Sequence, residues 1–263
     1  MPVKIATWNV NSLKVRLPQV LDWLATEEPD VLALQETKLT DDNFPELDIQ
    51  AAGYHAVYSG QKTYNGVAIL SRQPADAVLR DVPDFDDPQR RFLAATVAGM
   101  RVINLYVVNG QAVDSDKYAY KLAWLKAVGE HLANLCRSSM PLVVLGDFNI
   151  APKDEDVHDP AAWRDRILCS KAERSALAKF TGLGLTDTFR LFPQAEKSFS
   201  WWDYRAAAFR RNLGLRIDLI LANPSLAAQC TACVIDTGPR KLERPSDHAP
   251  VVAEFELWER NGP

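Results

Sequence analysis

Short apolar segments rich in β-branched and aromatic residues recur along the chain, and Gly, Pro, Asp and Asn residues bound them. Two of these segments, VLAL (31–34) and LVVL (142–145), are apolar at every position, which is typical of strands covered on both faces. The pattern predicts strands at residues 3–9, 31–36, 54–60, 66–72, 92–97, 101–108, 141–149, 216–222 and 250–257.

Amphipathic stretches alternate with the predicted strands and predict helices. Apolar residues recur with helical spacing at residues 17–27 and about 116–136, and a third helix is predicted at about 172–183. Asp114 or Ser115 is placed to cap the second helix. No linker, low-complexity tract or repeat interrupts the alternation, so the sequence predicts one α/β domain over residues 1–263.

Composition places the chain among soluble globular proteins, because 47% of its 263 residues are hydrophobic and 24% are charged. No apolar run approaches the roughly 18 residues that a membrane span needs, and the first residues lack the pattern of a signal peptide, so we expect a cytoplasmic protein without membrane contacts. The net charge of −4 argues mildly against a polyanionic partner. It does not decide the matter, since clustered metal-binding carboxylates would give the same total.

The four cysteines are too few for a disulfide scaffold and favour a reduced compartment. Cys230 and Cys233 form a C-x-x-C motif without a second pair or a nearby histidine. We therefore expect two partly buried thiols there rather than a zinc site.

Polar residues stand at one end of many predicted strands. If they converge, strands that end at this edge must run antiparallel to strands that begin there, so the sheets must be mixed. The residues are Asn9, Glu36, Tyr106 and Asp147 at strand ends, and Asp218, Asp247 and His248 at strand starts.

Each motif has an ordinary structural explanation beside the functional one. In GDFN, Asp147 and Asn149 share a face of an extended chain, although Asp147 could simply cap a following helix. In LQETK, Glu36 could be a solvated acid at a strand end. In TWNVN, Asn9 and Asn11 could mark the onset of a turn.

The motif PSDHAP places an acid and an imidazole between two prolines. Adjacent side chains on an extended strand diverge, so Asp247 and His248 should not pair with each other. Asp218 is the natural carboxylate partner for His248, and the alternative is a surface Asp-His pair without a role.

Together, the motifs WNVN, LQETK, NLYVVNG, GDFN, GLRIDLILA and PSDHAPV resemble the endonuclease/exonuclease/phosphatase superfamily, and within it the exonuclease III type of apurinic/apyrimidinic (AP) endonuclease. They follow the family order and extend over residues 3–256, with further similar segments at 60–71, 89–91, 184–190 and 200–205. The resemblance implies a DNase I-like fold, a four-layer α/β sandwich of two mixed β-sheets flanked by helices.

The resemblance also implies phosphodiester hydrolysis with Mg²⁺, for which Mn²⁺ is a possible substitute. The implied metal ligands are Glu36, Asn9, Asp147, Asn149 and Asp247. The implied catalytic residues are Tyr106, Asp147, Asn149, Asp218 and His248.

Each implied catalytic residue has a distinct role. Asp147 would deprotonate the attacking water and Asn149 would donate to a non-bridging oxygen. Tyr106 would donate to the phosphate or the leaving group. His248, kept protonated by Asp218, would stabilise the pentacovalent phosphorus. Two alternatives stay open, namely His248 rather than Asp147 as the base, and two metal ions rather than one.

The segment 199–218 carries the substrate prediction, because aromatic residues alternate there with arginines. This mixture suits phosphates and deoxyribose faces, although a core strand-loop-strand with solvated arginines would look similar. By resemblance, Trp201, Leu215 and Ile217 line a small apolar pocket for an extruded abasic sugar, and Arg205 inserts into the base stack. Contacts to backbone phosphates are implied for Tyr64, Arg91 and Asn109.

Three residues depart from relatives: Val108 replaces a common proline, Leu215 replaces the tryptophan of vertebrate relatives, and Asn11 replaces their aspartate.

The predicted protein is a monomeric DNA repair nuclease acting on double-stranded DNA with abasic sites or blocked 3′ ends. It would cut 5′ to an abasic site, with weaker 3′→5′ exonuclease, 3′-phosphatase and 3′-phosphodiesterase activities. The alternatives are a mainly 3′→5′ exonuclease, a lipid or inositol phosphatase, and a catalytically silent DNA-binding relative.

Overall fold

Residues 2–256, which the computed structural model describes, form twelve strands and six α-helices. The strands are β1 (Val3–Asn9), β2 (Val31–Gln35), β3 (His55–Ser59), β4 (Val67–Ser71), β5 (Ala75–Leu79), β6 (Phe92–Val97), β7 (Met100–Tyr106), β8 (Leu142–Asp147), β9 (Thr186–Asp187), β10 (Asp218–Ala222), β11 (Cys230–Ile235) and β12 (Val251–Phe255). The helices are α1 (Leu13–Glu27), α2 (Glu46–Ala51), α3 (Asp116–Leu135), α4 (Pro160–Trp163), α5 (Lys171–Gly182) and α6 (Pro224–Ala227).

The strands form two six-stranded sheets, which we call sheet A and sheet B. Sheet A has the order β11-β12-β1-β2-β4-β3, and sheet B has the order β5-β6-β7-β8-β10-β9. In sheet A, β1 pairs parallel to β2 and antiparallel to β12. In sheet B, β8 pairs parallel to β7 and antiparallel to β10. The prediction of mixed sheets is therefore confirmed.

All nine predicted strands are present, with ends that differ by up to two residues. Leu257, the last residue of the final predicted strand, lies outside the described residues. Three strands were not predicted: β5, β9 and β11. Bulges interrupt the pairing of β5 and β11 at the sheet edges, and β9 has only two residues, so none of them shows a sustained hydrophobic period.

The three predicted helices are present as α1, α3 and α5. The first begins four residues earlier than predicted, at Leu13, and contains Pro18 in its second turn. Of the two cap candidates for α3, Ser115 is the cap, since its side chain accepts a hydrogen bond from the Tyr118 amide. Ser170 caps α5 and forms a capping box with Glu173.

The two sheets pack face to face around an apolar core, and helices cover their outer faces. Side chains of both sheets interleave in the central core, for example Val31 and Ile69 of sheet A with Val102 and Val143 of sheet B. α3 and α5 cover sheet B, and α1 and α2 cover sheet A. The resulting four layers match the predicted fold class.

A buried polar layer joins the sheets at one end of this core. Asn104 of β7 donates to the backbone carbonyls of Leu34 and Ala68 at 2.9 and 2.8 Å, and accepts from Gln35 at 2.8 Å. Gln35 also donates to Thr7 of β1 at 2.9 Å. Apolar packing alone is non-directional, so these hydrogen bonds determine how the sheets align.

Two smaller expectations can also be compared with the structure. Within residues 2–256, none of the helices combines the length and the apolar character that crossing a bilayer requires. The cysteines are free thiols: Cys230 is half-buried and Cys233 is buried, as predicted for the C-x-x-C motif.

Replacing Asn104 by alanine should lower the free energy of unfolding by about 2–3 kcal/mol, because it leaves two buried carbonyls without this donor and removes one acceptor of the Gln35 amide. Urea denaturation followed by circular dichroism measures this loss. Asn134→Ala, at an exposed position of α3, is the control and should change stability by less than about 0.5 kcal/mol. Equal losses in the two variants would contradict the role of the polar layer.

Candidate active site

The polar residues predicted to converge do meet at one edge of the two sheets. Sheet A contributes residues at the ends of β1 and β2 and in the turn before β12, whereas sheet B contributes residues at the ends of β7 and β8 and at the start of β10. The residues from sheet A are Asn9, Glu36, Asp247 and His248, and those from sheet B are Tyr106, Asp147, Asn149 and Asp218. The site is thus assembled from both sheets.

The backbone at this edge is unusual in three places. Gly146 has φ of 139°, and a side chain there would collide with the Leu105 carbonyl, so only glycine lets β8 approach β7 so closely. Glu36 and Asn149 adopt left-handed conformations, with φ of 53° and 48°. Such strained residues gather at functional sites, where surrounding contacts hold them.

Asn9 connects the two halves of the site. Its amide donates to Glu36 Oε1 at 3.0 Å and to Asp147 Oδ2 at 2.9 Å. Its carbonyl oxygen accepts from the backbone amide of Asn11 at 3.0 Å, which fixes the orientation of the amide. A fully buried side chain therefore bridges one carboxylate from each sheet.

His248 pairs with Asp218, as predicted, through Nδ1 at 2.9 Å from Oδ2. Its Nε2 lies 3.8 Å from Asp147 Oδ2. Burial disfavours the charged imidazole, but the carboxylates of Asp218 and Asp147 outweigh it and raise the pKa of His248 to about 10. His248 is therefore an imidazolium at neutral pH.

Asp147 lies at the centre of the constellation and is almost completely buried. It accepts hydrogen bonds from Asn9, from the Asn149 backbone amide at 2.9 Å and from the Asn149 side chain at 3.1 Å. Burial raises the pKa of Asp147 to about 7, against the opposing attraction of His248. Its carboxylate is a stronger base than that of an exposed aspartate.

Glu36, Asp147 and His248 each place one potential ligand atom within 4.8 Å of the others. Burial opposes ionisation of Glu36, but Lys38, at 3.0 Å, and Asn9 outweigh it and lower the pKa of Glu36. Because His248 is held as an imidazolium by Asp218, the two carboxylates are the ligand groups of this cluster. Hard carboxylate oxygens fit a divalent cation such as Mg²⁺.

Tyr106 contributes a phenol beside these carboxylates. Burial, together with Glu36 and Asp147, keeps the pKa of Tyr106 well above its ordinary value, so its hydroxyl is a proton donor at neutral pH. Arg91 stacks on its ring with the guanidinium carbon 4.5 Å from the centroid, and also donates to Gln89 and to the Tyr106 carbonyl. Arg91, predicted to contact phosphate, is 9% exposed.

Sequence reasoning missed a buried ion pair behind Asn149. Lys121 of α3 contacts Glu173 of α5 at 2.5 Å, and both side chains have 0% exposure. The Lys121 ammonium also donates to the carbonyls of Asn109 and Asn149 at 3.2 and 2.7 Å, and the Asn109 side chain donates to Asn149 Oδ1 at 3.2 Å. The capping box around Glu173 was visible in the sequence, but a lysine inside an amphipathic helix gave no signal.

Asp247, which the resemblance implies as a metal ligand, is held by other partners. Trp201 Nε1 donates to Asp247 Oδ2 at 3.0 Å, and the Asn11 amide donates to Oδ1 at 2.9 Å. Lys38 in turn donates to Asn11 Oδ1 at 2.5 Å. Both oxygens of Asp247 therefore position the tryptophan and the asparagine beside the cluster.

The residues predicted to bind substrate differ in their exposure. Leu215 and Ile217 are buried, at 0% and 1% exposure, beneath Trp201. Only Trp201 of the three predicted pocket residues is partly exposed. The Arg205 side chain is 92% exposed and Tyr64 is 68% exposed. Asn109 is also exposed. These three side chains are available to a ligand at the surface around the site.

Comparison with known proteins gives the class of this protein. Residues 6–248 match the Endonuclease/Exonuclease/phosphatase family, and the chain belongs to that family. The match contains every residue of the constellation described above, from Asn9 to His248. Nucleases of this family are metal-dependent, which agrees with the carboxylate cluster.

Three relatives are similar over nearly the whole chain. Exodeoxyribonuclease III of Haemophilus influenzae is 35% identical over 266 residues, covering 96% of this chain and 100% of the relative. The 3′ phosphatase NExo from Neisseria, in a structure bound to a product DNA hairpin, is 52% identical with a TM-score of 0.95 and covers 97% of this chain and 100% of its own. An AP endonuclease from Archaeoglobus fulgidus is 42% identical with a TM-score of 0.93, with coverage of 97% and 100%.

Replacing Asp218 by asparagine should lower the pKa of His248 from about 10 toward the ordinary value of about 6.5, because the variant loses the carboxylate that bonds Nδ1. NMR titration of the His248 ring, with EDTA present, measures the change. Asp76→Asn, at an exposed position of β5, is the control and should leave the titration unchanged. An unchanged pKa in the Asp218 variant would show that Asp218 does not hold His248 in its charged form.

Proposed function

We propose that this protein is a Mg²⁺-dependent DNA repair nuclease. It hydrolyses the phosphodiester 5′ to an abasic site and also removes nucleotides and phosphates from 3′ ends, acting as a monomer on double-stranded DNA. The observation that carries this proposal is the buried constellation in which Asn9 joins the carboxylates of Glu36 and Asp147, beside the His248–Asp218 pair.

The choice of metal follows from the donor set. Glu36 and Asp147 would hold the ion, and no cysteine lies in the cluster. A pair of carboxylates suits Mg²⁺, with Mn²⁺ as a substitute, better than it suits zinc. The bound cation would neutralise charge on the phosphate and orient it.

The side chains of this chain divide the remaining work. Asp147, which is buried and has a raised pKa, accepts a proton from the attacking water. The His248 imidazolium stabilises negative charge that grows on the phosphate oxygens. Tyr106 donates its hydroxyl proton to the phosphate or to the leaving oxygen. Asn149, in the same turn as Asp147, donates from its side-chain amide to a non-bridging phosphate oxygen.

DNA is supported as the substrate by the surroundings of the site and by the relatives. Arg205, Arg210 and Arg211 are exposed on the segment that also presents Trp201 and Tyr204. Such a mixture contacts phosphates and stacks on sugars or bases. The relatives described above carry the names exodeoxyribonuclease III, 3′ phosphatase and AP endonuclease, and one of them was solved with DNA.

A second candidate is a protein that works mainly at 3′ ends. Two observations favour it. Leu215 and Ile217 are buried rather than open to an extruded sugar. The 52% identical relative is described both as a 3′ phosphatase and, for Neisseria meningitidis, as a 3′-5′ exonuclease. The two candidates share the catalytic chemistry and differ in whether an abasic sugar can enter beside Trp201.

A gel assay on two duplexes distinguishes the candidates. One duplex carries a single internal tetrahydrofuran abasic analogue, and the other carries a recessed 3′ end with or without a 3′-phosphate. We expect incision at the analogue to be faster than 3′ digestion. This incision should require Mg²⁺ and stop when EDTA is added. Fast 3′ processing with a spared abasic site would establish the second candidate, and no cleavage of either duplex would refute the proposal.

Replacing Asp147 by asparagine should reduce kcat by about 10²–10⁴-fold while abasic DNA binding changes little, because the variant loses the base but keeps the side-chain volume. Single-turnover cleavage and fluorescence anisotropy with tetrahydrofuran DNA measure the two quantities. Asp42→Asn, at an exposed position, is the control and should alter neither. A loss of DNA affinity as large as the loss of rate would contradict the assignment of Asp147 as the base.

A further inference from the structure

The segment 199–213, which we call the arginine loop, is strained as well as exposed. Ala206, Ala207 and Asn212 have positive φ values of 56°, 50° and 52°. Residues other than glycine adopt this backbone conformation at an energetic cost. Trp201 forms isolated β-bridges with Leu215 and His248, whereas residues 202–213 contain only a short 3₁₀ turn at residues 205–207. The loop therefore needs contacts with the rest of the molecule to keep one conformation.

Arg240 supplies such a contact, because its guanidinium packs among the aromatic side chains of this loop. It follows β11 in the chain and is 6% exposed. Its guanidinium carbon lies 4.9 Å from the centroid of Phe209, 5.7 Å from that of Trp202 and 5.8 Å from that of Tyr204. Three rings from one loop thus surround a single buried cation, an arrangement that cation–π attraction stabilises.

The same guanidinium also reaches the turn that carries His248. Arg240 Nη1 donates to the backbone carbonyl of Ser246. The Ser246 hydroxyl donates to the Asn9 carbonyl at 2.6 Å and accepts from the His248 backbone amide at 3.2 Å. One side chain therefore contacts both the arginine loop and the turn that positions the imidazolium.

A second connection runs in parallel along the outer side of the loop. The Tyr204 hydroxyl donates to the Pro245 carbonyl at 2.8 Å, and Arg16 donates to the same hydroxyl at 3.1 Å. Tyr204 is 51% exposed, so water competes for these bonds. The buried Arg240 contact is shielded from that competition.

We infer that Arg240 is a positioning residue that holds the outer part of the arginine loop, residues 202–213 with Arg205, in register with the catalytic turn, and so sets the affinity for DNA. The inference rests on the proposed function, since it assigns to the loop the contact with DNA. Arg240 is buried and acts through Trp202, Tyr204 and Phe209.

This role requires the planar shape of arginine as well as its charge. A guanidinium can stack on rings and donate to a carbonyl at the same time, whereas a lysine ammonium is a compact charge with a strong hydration shell. Arg240→Lys therefore keeps the charge near the site and removes the stacking. Phe209→Leu keeps Arg240 and removes the nearest ring, so both variants should produce the same change by different routes.

Two measurements test the inference. The first is steady-state incision of tetrahydrofuran duplex, or of the recessed 3′-phosphate duplex if that is the better substrate. KM should rise about tenfold or more in both variants with kcat within about twofold, because the loop is displaced while the turn keeps its Ser246–Asn9 bond. The second is limited trypsin digestion without DNA, in which cleavage after Arg205, Arg210 and Arg211 should accelerate about tenfold.

Arg72→Lys is the matched control, because the Arg72 guanidinium lies 5.5 Å from the Tyr54 ring and neither residue is part of the candidate site. It should change neither KM nor the tryptic pattern. Two results in the Arg240 and Phe209 variants would overturn the inference. One is a fall in kcat at unchanged KM, and the other is a lower melting temperature with unchanged KM and unchanged loop cleavage. Wild-type protein inactive on both duplexes would refute the proposed function instead, while the trypsin result would still test how the loop is held.

Discussion

The alignment of two face-to-face sheets is the constraint on which the site depends, since each sheet carries half of the polar residues. Asn104 fixes that alignment with hydrogen bonds to Leu34, Ala68 and Gln35. Gln35 directly precedes Glu36, and Asn104 stands two residues before Tyr106 on the same face of β7. A polar layer one or two residues away from the site thus couples the packing of the core to the positions of the site residues.

Side chains within the site balance part of its charge. The carboxylates of Glu36, Asp147, Asp218 and Asp247 outnumber the two cations, the His248 imidazolium and the Lys38 ammonium, and the Asn9 amide separates two of the acids. Buried charges are stable only when they are paired and hydrogen-bonded. A cation held by Glu36 and Asp147 would complete that balance. The carboxylates that are costly to bury are therefore also the groups that would bind a cation for phosphate hydrolysis.

Catalysis and substrate selection are connected in this fold because they share a turn. Asp247 holds Trp201 through the indole, and the neighbouring His248 pairs with Asp218. The arginine loop packs against residues 245–248 through Tyr204 and through Arg240. In the proposed function this loop meets the substrate, so it can differ among members of the family while the acids and the imidazole stay in place.

By itself, the sequence determined nine strands, three helices, the mixed character of the sheets and the residues at the strand ends, because hydrophobic period and turn chemistry are local properties. Resemblance added the grouping of the residues from Asn9 to His248 into one site. The tertiary structure alone decided the partners of Asn104, the Lys121–Glu173 ion pair and the rings around Arg240. Each of these joins residues far apart in the chain, and a buried polar side chain in a helix or loop looks like a solvated one until its partner is placed beside it.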